Sequence, residues 1–199
     1  MKYLQGLCAF FTVLFVACGA SGAIACQRPV IALDANGNGI AVWDVVQNNA
    51  RYIVTNTLVG GVWGVPTTIA ADATAFGQKV AVRANGADIQ AVVVWTEGSN
   101  GITSLFGSML SSAGADWTDI AQISGASEDI QTPQYDMVMN DNGSVLATWS
   151  SLDASNQQYI RSSTSKVGSA NSWSAPETVS GFEKPTAPKA SKKPSALVK

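Results

Sequence analysis

Short apolar runs, separated by polar segments that contain glycine, dominate the chain from residue 29 to residue 180. β-branched residues fill runs such as PVIALD, GIAVW and AVVVW, and such short runs predict strands rather than helices. Asn-Gly pairs lie between consecutive runs at Asn36-Gly37, Asn85-Gly86 and Asn142-Gly143. Asn-Gly favours a type I′ turn, in which both central residues have positive φ, so the first two strands around each pair are expected to form a hairpin.

Tryptophan marks a repeat in this pattern. One set of Trp ends the second run of each unit with gaps of 52 and 54 residues, and another set follows the third run with gaps of 54 and 56. The members are Trp43, Trp95 and Trp149 in the first set, and Trp63, Trp117 and Trp173 in the second. Each unit therefore has a strand, an Asn-Gly turn, a strand ending in Trp, a polar loop, a third strand and a closing strand. Four short strands in about 50 residues is typical of a β-propeller blade.

The predicted fold is all-β and β-propeller-like, with three four-stranded antiparallel blades at residues 27–72, 76–126 and 130–180 of one domain, 27–180. A closed propeller typically has about four to eight blades. Three arrangements remain open: two chains combine into a homo-oligomer of six blades, the chain is part of a longer propeller, or three sheets close in another way. We favour a compact three-blade unit, which would be a partial propeller.

The repeat resembles a known family. The pattern P-x-x-A-x-D-x-N-G-x-x-x-A-V-W, followed by W-x-x-P-x-x-I, resembles tandem repeats of exported bacterial propeller proteins of unknown function. It is similar, more distantly, to sialidase-type propellers, whose second-Trp segment carries the Asp-box S-x-D-x-G-x-T-W. The matching stretches LVGGVW, SSAGADW and VGSANSW lack the Asp and Gly at that spacing, so the Asp-boxes are degenerate. The resemblance covers residues 29–180 and implies a fold rather than an activity.

Residues 1–25 have the build of a secretory signal peptide: Lys2, then an uncharged apolar run over residues 7–17, then small residues. The run is shorter than the roughly 20 residues of a membrane span. LFVAC resembles a lipobox, which implies cleavage before Cys18 and a lipid on its sulfur. AIA before Cys26 is the alternative, an ordinary signal peptidase site, and a buried N-terminal helix is the third interpretation. The predicted location is periplasmic, outer-membrane lipoprotein or secreted.

Charge narrows the classes of partner. From Gln27 to Phe182 there are 13 acids and 6 bases, which disfavours nucleic acid because phosphate neutralisation needs Lys and Arg. Residues 181–199 are rich in Lys and Pro and are predicted to be a disordered tail. Contact with a membrane is expected only through the signal or a lipid anchor.

The chain has no His, and its three Cys lie within or beside the signal, so no cofactor and no Cys- or His-ligated metal is predicted.

Asp34-x-Asn36-x-Asn38-Gly39 fits the opening of a calcium loop. A full loop ends with a bidentate Glu at position twelve, and here that position is Val45, while position nine is Val42. The equivalent stretches RANGAD and NDNGSV keep only the Asn-Gly pair. The sequence therefore predicts a turn here and no metal site.

Catalytic machinery is not apparent in the sequence. Only four Arg lie in the body of the chain, and no third one completes a sialidase-like triad on the first strands of the blades. The candidate carboxylates are Glu97, Glu128, Asp129 and Asp136, and the pair Glu128-Asp129 is expected in a solvated linker. We assign no catalytic residue and expect no enzyme activity. Most Trp are expected in the core, whereas Trp63 and Trp173 follow Gly- and Ser-rich loops and are the candidates for a ligand surface.

The sequence thus predicts a non-catalytic extracytoplasmic binding or scaffold protein at the bacterial cell envelope, with a protein or a polysaccharide as partner. Two alternatives remain: a glycan-binding module related to sialidase-like propellers, and a degenerate enzyme that uses loop carboxylates such as Glu97 and Asp129.

Overall fold

The computed structural model describes residues 25–153, 155–169 and 172–181, and these form three antiparallel sheets with no helix. Sheet 1 contains β1 (Ala25–Leu33), β2 (Gly39–Gln47), β3 (Ala50–Val59), β4 (Val62–Trp63) and β5 (Thr67–Ala71). Sheet 2 contains β6 (Phe76–Asn85), β7 (Asp88–Ser99), β8 (Ile102–Leu110) and β9 (Ala121–Gln122). Sheet 3 contains β10 (Asp129–Met139), β11 (Ser144–Leu152), β12 (Gln158–Lys166) and β13 (Glu177–Gly181).

The all-β, three-bladed prediction is confirmed. Apart from β4 and β5, consecutive strands of each sheet pair antiparallel, and the sheets follow one another along the chain. Sheet 1 has a fifth strand, because β4 and β5 both pair with β3. The predicted signal with Cys18, and the tail beyond residue 181, lie outside the described residues. In the part of the chain that the structure describes, no helix is long and apolar enough to cross a bilayer.

Three hairpins form where the Asn-Gly pairs predict them, joining β1 to β2, β6 to β7 and β10 to β11. The predicted type I′ geometry is wrong, since only the glycine of each pair has positive φ: Gly37 at 79°, Gly86 at 65° and Gly143 at 77°. In the first hairpin, Oδ1 of Asp34 accepts hydrogen bonds from the backbone N–H of Asn36 and Asn38, each at 2.8 Å. This side-chain acceptor favours a longer loop over a two-residue turn.

Type I′ turns instead connect the second and third strands of the first two sheets. Asn48 and Asn49 have φ of 52° and 63°, and Asn100 and Gly101 have φ of 53° and 77°. The polar loops predicted after Trp43 and Trp95 are therefore wrong, because β2 and β7 continue past their Trp and end at these tight turns. The polar residues after Trp43 and Trp95 therefore belong to strands rather than to loops.

The core lies on both faces of sheet 2. Along β7, one set of side chains packs against sheet 1 and the alternate set packs against sheet 3, all fully buried. The first set is Ile89, Ala91, Val93 and Trp95, and the second is Val92 and Val94. Because successive side chains of a strand point to opposite faces, a strand between two sheets must be apolar throughout. Within the described residues, neither hydrophobic cluster joins sheet 1 to sheet 3.

The first strand of each sheet is interrupted by a bulge at the same place: between Gln27 and Val30, between Phe76 and Lys79, and between Ile130 and Tyr135. Two bulge residues, Arg28 and Gly77, have positive φ of 48° and 72°.

The carbonyls of these bulge residues join neighbouring sheets. Nε2 of Gln78 donates to the carbonyl of Arg28, and the Tyr135 hydroxyl donates to the carbonyl of Gly77. Burial raises the pKa of Tyr135 to about 12, so this hydroxyl keeps its proton at neutral pH. A hydrogen bond to a bulge carbonyl thus links sheet 1 to sheet 2, and a second bond of this kind links sheet 2 to sheet 3.

Candidate ligand-binding cleft

A cleft of about 290 Å³ opens between the edge of sheet 1 and the β8–β9 loop of sheet 2. Its polar and aromatic lining consists of Thr55, Asn56, Thr57, Thr67, Asp116 and Trp117. Gly64 and Val65 form part of one wall, and Gly114 and Ala115 form part of the other. The cleft therefore spans the junction of two blades.

The sheet 1 wall arises where β5 returns to β3. The N–H of Gly64 donates to the carbonyl of Thr57 at 2.8 Å, just after β4 ends. The chain then leaves the sheet and rejoins it where Thr55 faces Thr67, and Oγ1 of Thr55 donates to the carbonyl of Thr67 at 3.4 Å. The residues of this detour line the cleft.

The sheet 2 wall is a loop fixed at both ends. The N–H of Ala113 donates to Oδ1 of Asp88 at 2.8 Å. At the other end, Met109 and Thr118 exchange two hydrogen bonds of 2.9 Å, one to the Thr hydroxyl and one from the Thr N–H. Between them Trp117 is half-buried and packs against the sheet 1–sheet 2 cluster. These anchors indicate a cleft that exists before any ligand arrives.

The chemistry of the lining suits a neutral, hydroxyl-rich ligand. A partly exposed indole lies beside the accessible hydroxyls of Thr57 and Thr67 and the carboxylate of Asp116, whereas Thr55 and Asn56 are buried and bonded within sheet 1. Asp116 is the only ionisable side chain among the described residues that line the cleft, and it is exposed. The cleft thus offers no cationic group to an anionic ligand.

The two Trp predicted as a ligand surface lie elsewhere. Trp63 forms part of β4 opposite Leu58, on sheet 1. Trp173 packs against the sheet 2–sheet 3 cluster. Neither lines the cleft, and the structure does not bring them together. Sequence reasoning missed Trp117, since its periodic placement indicates core packing, and the side chain in fact serves both the core and the cleft.

Asp34 holds the turn that its sequence context predicts. Besides the two backbone N–H groups on Oδ1, its Oδ2 accepts from Nδ2 of Asn38 at 3.3 Å. Asn38 in turn reaches the neighbouring blade, where Nδ2 lies 3.4 Å from the carbonyl of Ala87. No group of three or more Asp, Glu, His or Cys placed to hold a metal occurs among the described residues.

Glu128 corrects the prediction of a solvated linker. Its side chain is buried, Oε2 accepts from Nε1 of Trp149 at 2.9 Å, and Oε1 lies 3.2 Å from Nε of Arg161. Trp95 has a similar partner, because its Nε1 donates to Glu97 at 2.7 Å. Burial raises the pKa of Glu97, and the bond to Trp95 only partly offsets this shift. Both carboxylates therefore satisfy buried indoles.

The other two candidate carboxylates have different partners. Asp129 accepts from the N–H of Thr103 at 2.9 Å, and Asp136 forms an ion pair with Lys79 at 3.3 Å. Each of the four candidate acids thus has its own partner: an indole for Glu97 and Glu128, a backbone N–H for Asp129, and a lysine for Asp136.

The four arginines of the body are distributed over the three sheets. Arg28 and Arg51 lie 3.4 and 3.3 Å from the fully buried Asp44, on sheet 1. Arg83 donates to Gln90 at 2.8 Å on sheet 2, and Arg161 pairs with Glu128 on sheet 3. Among the described residues, no three arginines converge on one point.

Comparison with known proteins identifies the fold and not a family. No family model matches the chain, and no curated protein sequence matches it. Among solved structures, the polysaccharide lyase Uly1 is similar with a TM-score of 0.50 at 9% identity, covering 77% of this chain and 40% of the lyase. The Hadza microbial sialidase Hz136 is similar with a TM-score of 0.49 at 14% identity, covering 75% of this chain and 36% of the sialidase. The chain spans less than half the length of either protein, and at such identities the likeness is one of fold alone.

Proposed function

We propose that this chain is a non-catalytic, extracytoplasmic binding protein of the bacterial cell envelope, and that it binds a neutral glycan in the Trp117 cleft. The observation that carries the proposal is the lining itself, an indole beside accessible hydroxyl and carboxylate groups at the junction of two blades. Sugars present apolar C–H faces and hydroxyl edges, and such a lining matches both.

The size of the cleft favours a segment of a glycan chain over a protein surface. A volume of about 290 Å³ lies just below the range of small-ligand pockets, roughly 300–1,000 Å³. A protein partner would instead need a broad surface of about 800 Å² on each side. The open end of the cleft would let a polysaccharide continue beyond the bound sugars.

The proposal of a non-catalytic role is supported by the positions of the carboxylates. Glycoside hydrolysis generally uses two carboxyl groups on either side of the scissile bond. One carboxylate, Asp116, lines the described cleft, and the other candidate acids are engaged with indoles, strands or lysine elsewhere. These contacts support a binding role.

Export is proposed from the sequence of residues 1–25, and anchoring from the lipobox-like LFVAC that ends at Cys18. The repeats resemble those of exported bacterial propeller proteins, which fits the same location. Labelling of the protein with a radioactive fatty acid, lost in Cys18→Ala, is the expected result for a lipoprotein. Processing before Cys26 without label would contradict the anchor and leave the export proposal intact.

Glycan binding is tested on an array of neutral and acidic oligosaccharides, followed by calorimetric titration of the best neutral ligand. We expect Trp117→Ala to weaken binding at least tenfold, and Asp116→Asn, which changes an exposed side chain, to weaken it severalfold. Trp63→Ala is the matched control and should keep wild-type affinity. Silence across the array, or equal affinity in the Trp117 and Trp63 variants, would overturn the proposal.

A further inference from the structure

Equivalent positions of the three sheets differ sharply in exposure. Trp95 and Trp149 are fully buried, because each packs against the preceding sheet. Trp43 occupies the same place in sheet 1, where no described sheet precedes it, and it is only half-buried. The face of sheet 1 that carries Trp43 is called the leading face, and the face of sheet 3 that points away from sheet 2 is called the trailing face.

The leading face keeps the apolar character of an interface. Ile31 and Leu33 are each 59% exposed there. By strand register they correspond to Val80 and Val82 of sheet 2, which pack against the sheet 1–sheet 2 cluster. Two large aliphatic side chains and an indole thus stand in solvent where the next repeat buries its equivalents, and such a patch indicates a binding surface.

The trailing face shows the same relation. Val138 is 62% exposed, and Leu146 and Ile160 are each 40% exposed. Their counterparts in sheet 2 contact sheet 3: Ala81 packs against its cluster, and Val92 and Leu105 are fully buried. Each exposed side chain of the trailing face therefore has a counterpart that already forms a blade junction in this molecule.

The repeat geometry points to a second copy of this chain as the occupant of both faces, with the trailing face of each copy packed on the leading face of the other. The chain uses this pairing of unlike faces twice, between sheets 1 and 2 and between sheets 2 and 3. Contacts between unlike faces form a closed ring when their rotation closes. Two copies give six sheets, within the range of about four to eight blades for closed propellers.

The expected dimer is weaker than the junctions within the chain. Thr148 and Thr164 on the trailing face stand where sheet 2 has Val94 and Met109. Hydroxyls at these places reduce the apolar area that association would bury. We therefore expect association that depends on protein concentration.

The test is sedimentation equilibrium of the full chain with single charged substitutions on each face. Wild type should pass from monomer to dimer as concentration rises. Ile31→Lys and Leu146→Lys should each shift the chain to monomer, whereas Val62→Lys, at an exposed valine away from the two faces, should behave as wild type.

Mixing the two monomeric variants supplies the decisive result. A mixed dimer keeps one unmodified junction, formed by the trailing face of the Ile31→Lys chain and the leading face of the Leu146→Lys chain. The mixture should therefore associate more than either variant alone, which also shows that both variants are folded. A wild-type chain that stays monomeric, open polymers, or an Ile31→Lys effect without a Leu146→Lys effect would overturn the proposal.

Discussion

At the scale of single residues, the carboxylates beside the core occur where an indole or a cation needs a partner. Glu97 and Glu128 each accept the N–H of a fully buried Trp, although one lies two residues after its Trp and the other lies 21 residues before it. Nothing in the local sequence shows this role for Glu128. The pair Glu128-Asp129 looks like a solvated linker because its partner is distant in sequence. The hydrogen bond between Glu128 and Trp149 could be predicted only if the packing of sheet 3 were already known.

Glu97 should make folding stability depend on pH. Burial raises its pKa in the folded protein, so the folded state binds the proton more tightly, and this contribution to stability falls as pH rises from about 4 toward neutrality. Glu97→Gln keeps an acceptor for Trp95 and removes the titration. In urea titrations, we expect the free energy of unfolding of the variant to rise relative to that of wild type between pH 4 and pH 7. A constant difference across this range would contradict the assignment.

Asp44 should be among the most sensitive polar positions. Its side chain is fully buried between Arg28 and Arg51, so its removal leaves two arginines beside a space without a counter-charge. Removing one partner of a buried ion pair typically destabilises by about 3–5 kcal/mol, and we expect Asp44→Ala near the lower limit because Arg28 is half-exposed. Asp141→Ala, at an exposed aspartate, is the control and should change stability little. Equal urea midpoints for the two variants would refute this.

At the scale of the elements, the sequence predicts the hairpins well and their turns poorly. Asn-Gly correctly marks the place where β1 meets β2. The actual turn depends on Asp34, two residues before Asn36, whose carboxylate accepts two backbone N–H groups. Asn140 does the same in sheet 3, accepting from Asn142 and Ser144 at 3.0 Å. A dipeptide rule ignores this competing acceptor, whereas the repeat of Trp fixes the strands irrespective of turn type.

Gly37 should tolerate no side chain without strain, although the space around it is open. Its φ is 79°, and a Cβ there would meet nothing within 4 Å. Left-handed backbone costs an L-residue about 1–2 kcal/mol, so Gly37→Ala should lower the free energy of unfolding by about 1 kcal/mol. Gly98→Ala, where φ is not left-handed and a Cβ makes an ordinary contact, is the control. Chemical denaturation that ranks the two in the opposite order would contradict the turn geometry.

At the scale of the whole molecule, sheet 2 carries the contacts of both neighbours, and the sequence shows this in the unbroken apolar run of β7. What the sequence could not show is the cleft, because its two walls come from segments about 50 residues apart that belong to different blades. Asn56 and Trp117 meet only because the detour before β5 and the β8–β9 loop lie at the same blade junction.

Adjacent residues of β7 should have separate effects on the two outer sheets. Val92 packs toward sheet 3 and Val93 toward sheet 1, and both are fully buried. Truncation to Ala should cost about 2 kcal/mol in each case. We expect Val92→Ala to accelerate amide hydrogen exchange mainly in β10 and β11, and Val93→Ala mainly in β2 and β3. The same exchange pattern in both variants would mean that the three sheets open only as one unit.

Trp43 also has an optical consequence. An indole in contact with water emits at longer wavelength than one enclosed by apolar side chains, and acrylamide quenches it more readily. Trp43 is half-buried while Trp95 and Trp149 are enclosed, so blade one should contribute a red-shifted, quenchable part of the emission that Trp43→Phe reduces. The fluorescence of this single side chain therefore reports whether anything covers the first blade, whatever that covering is.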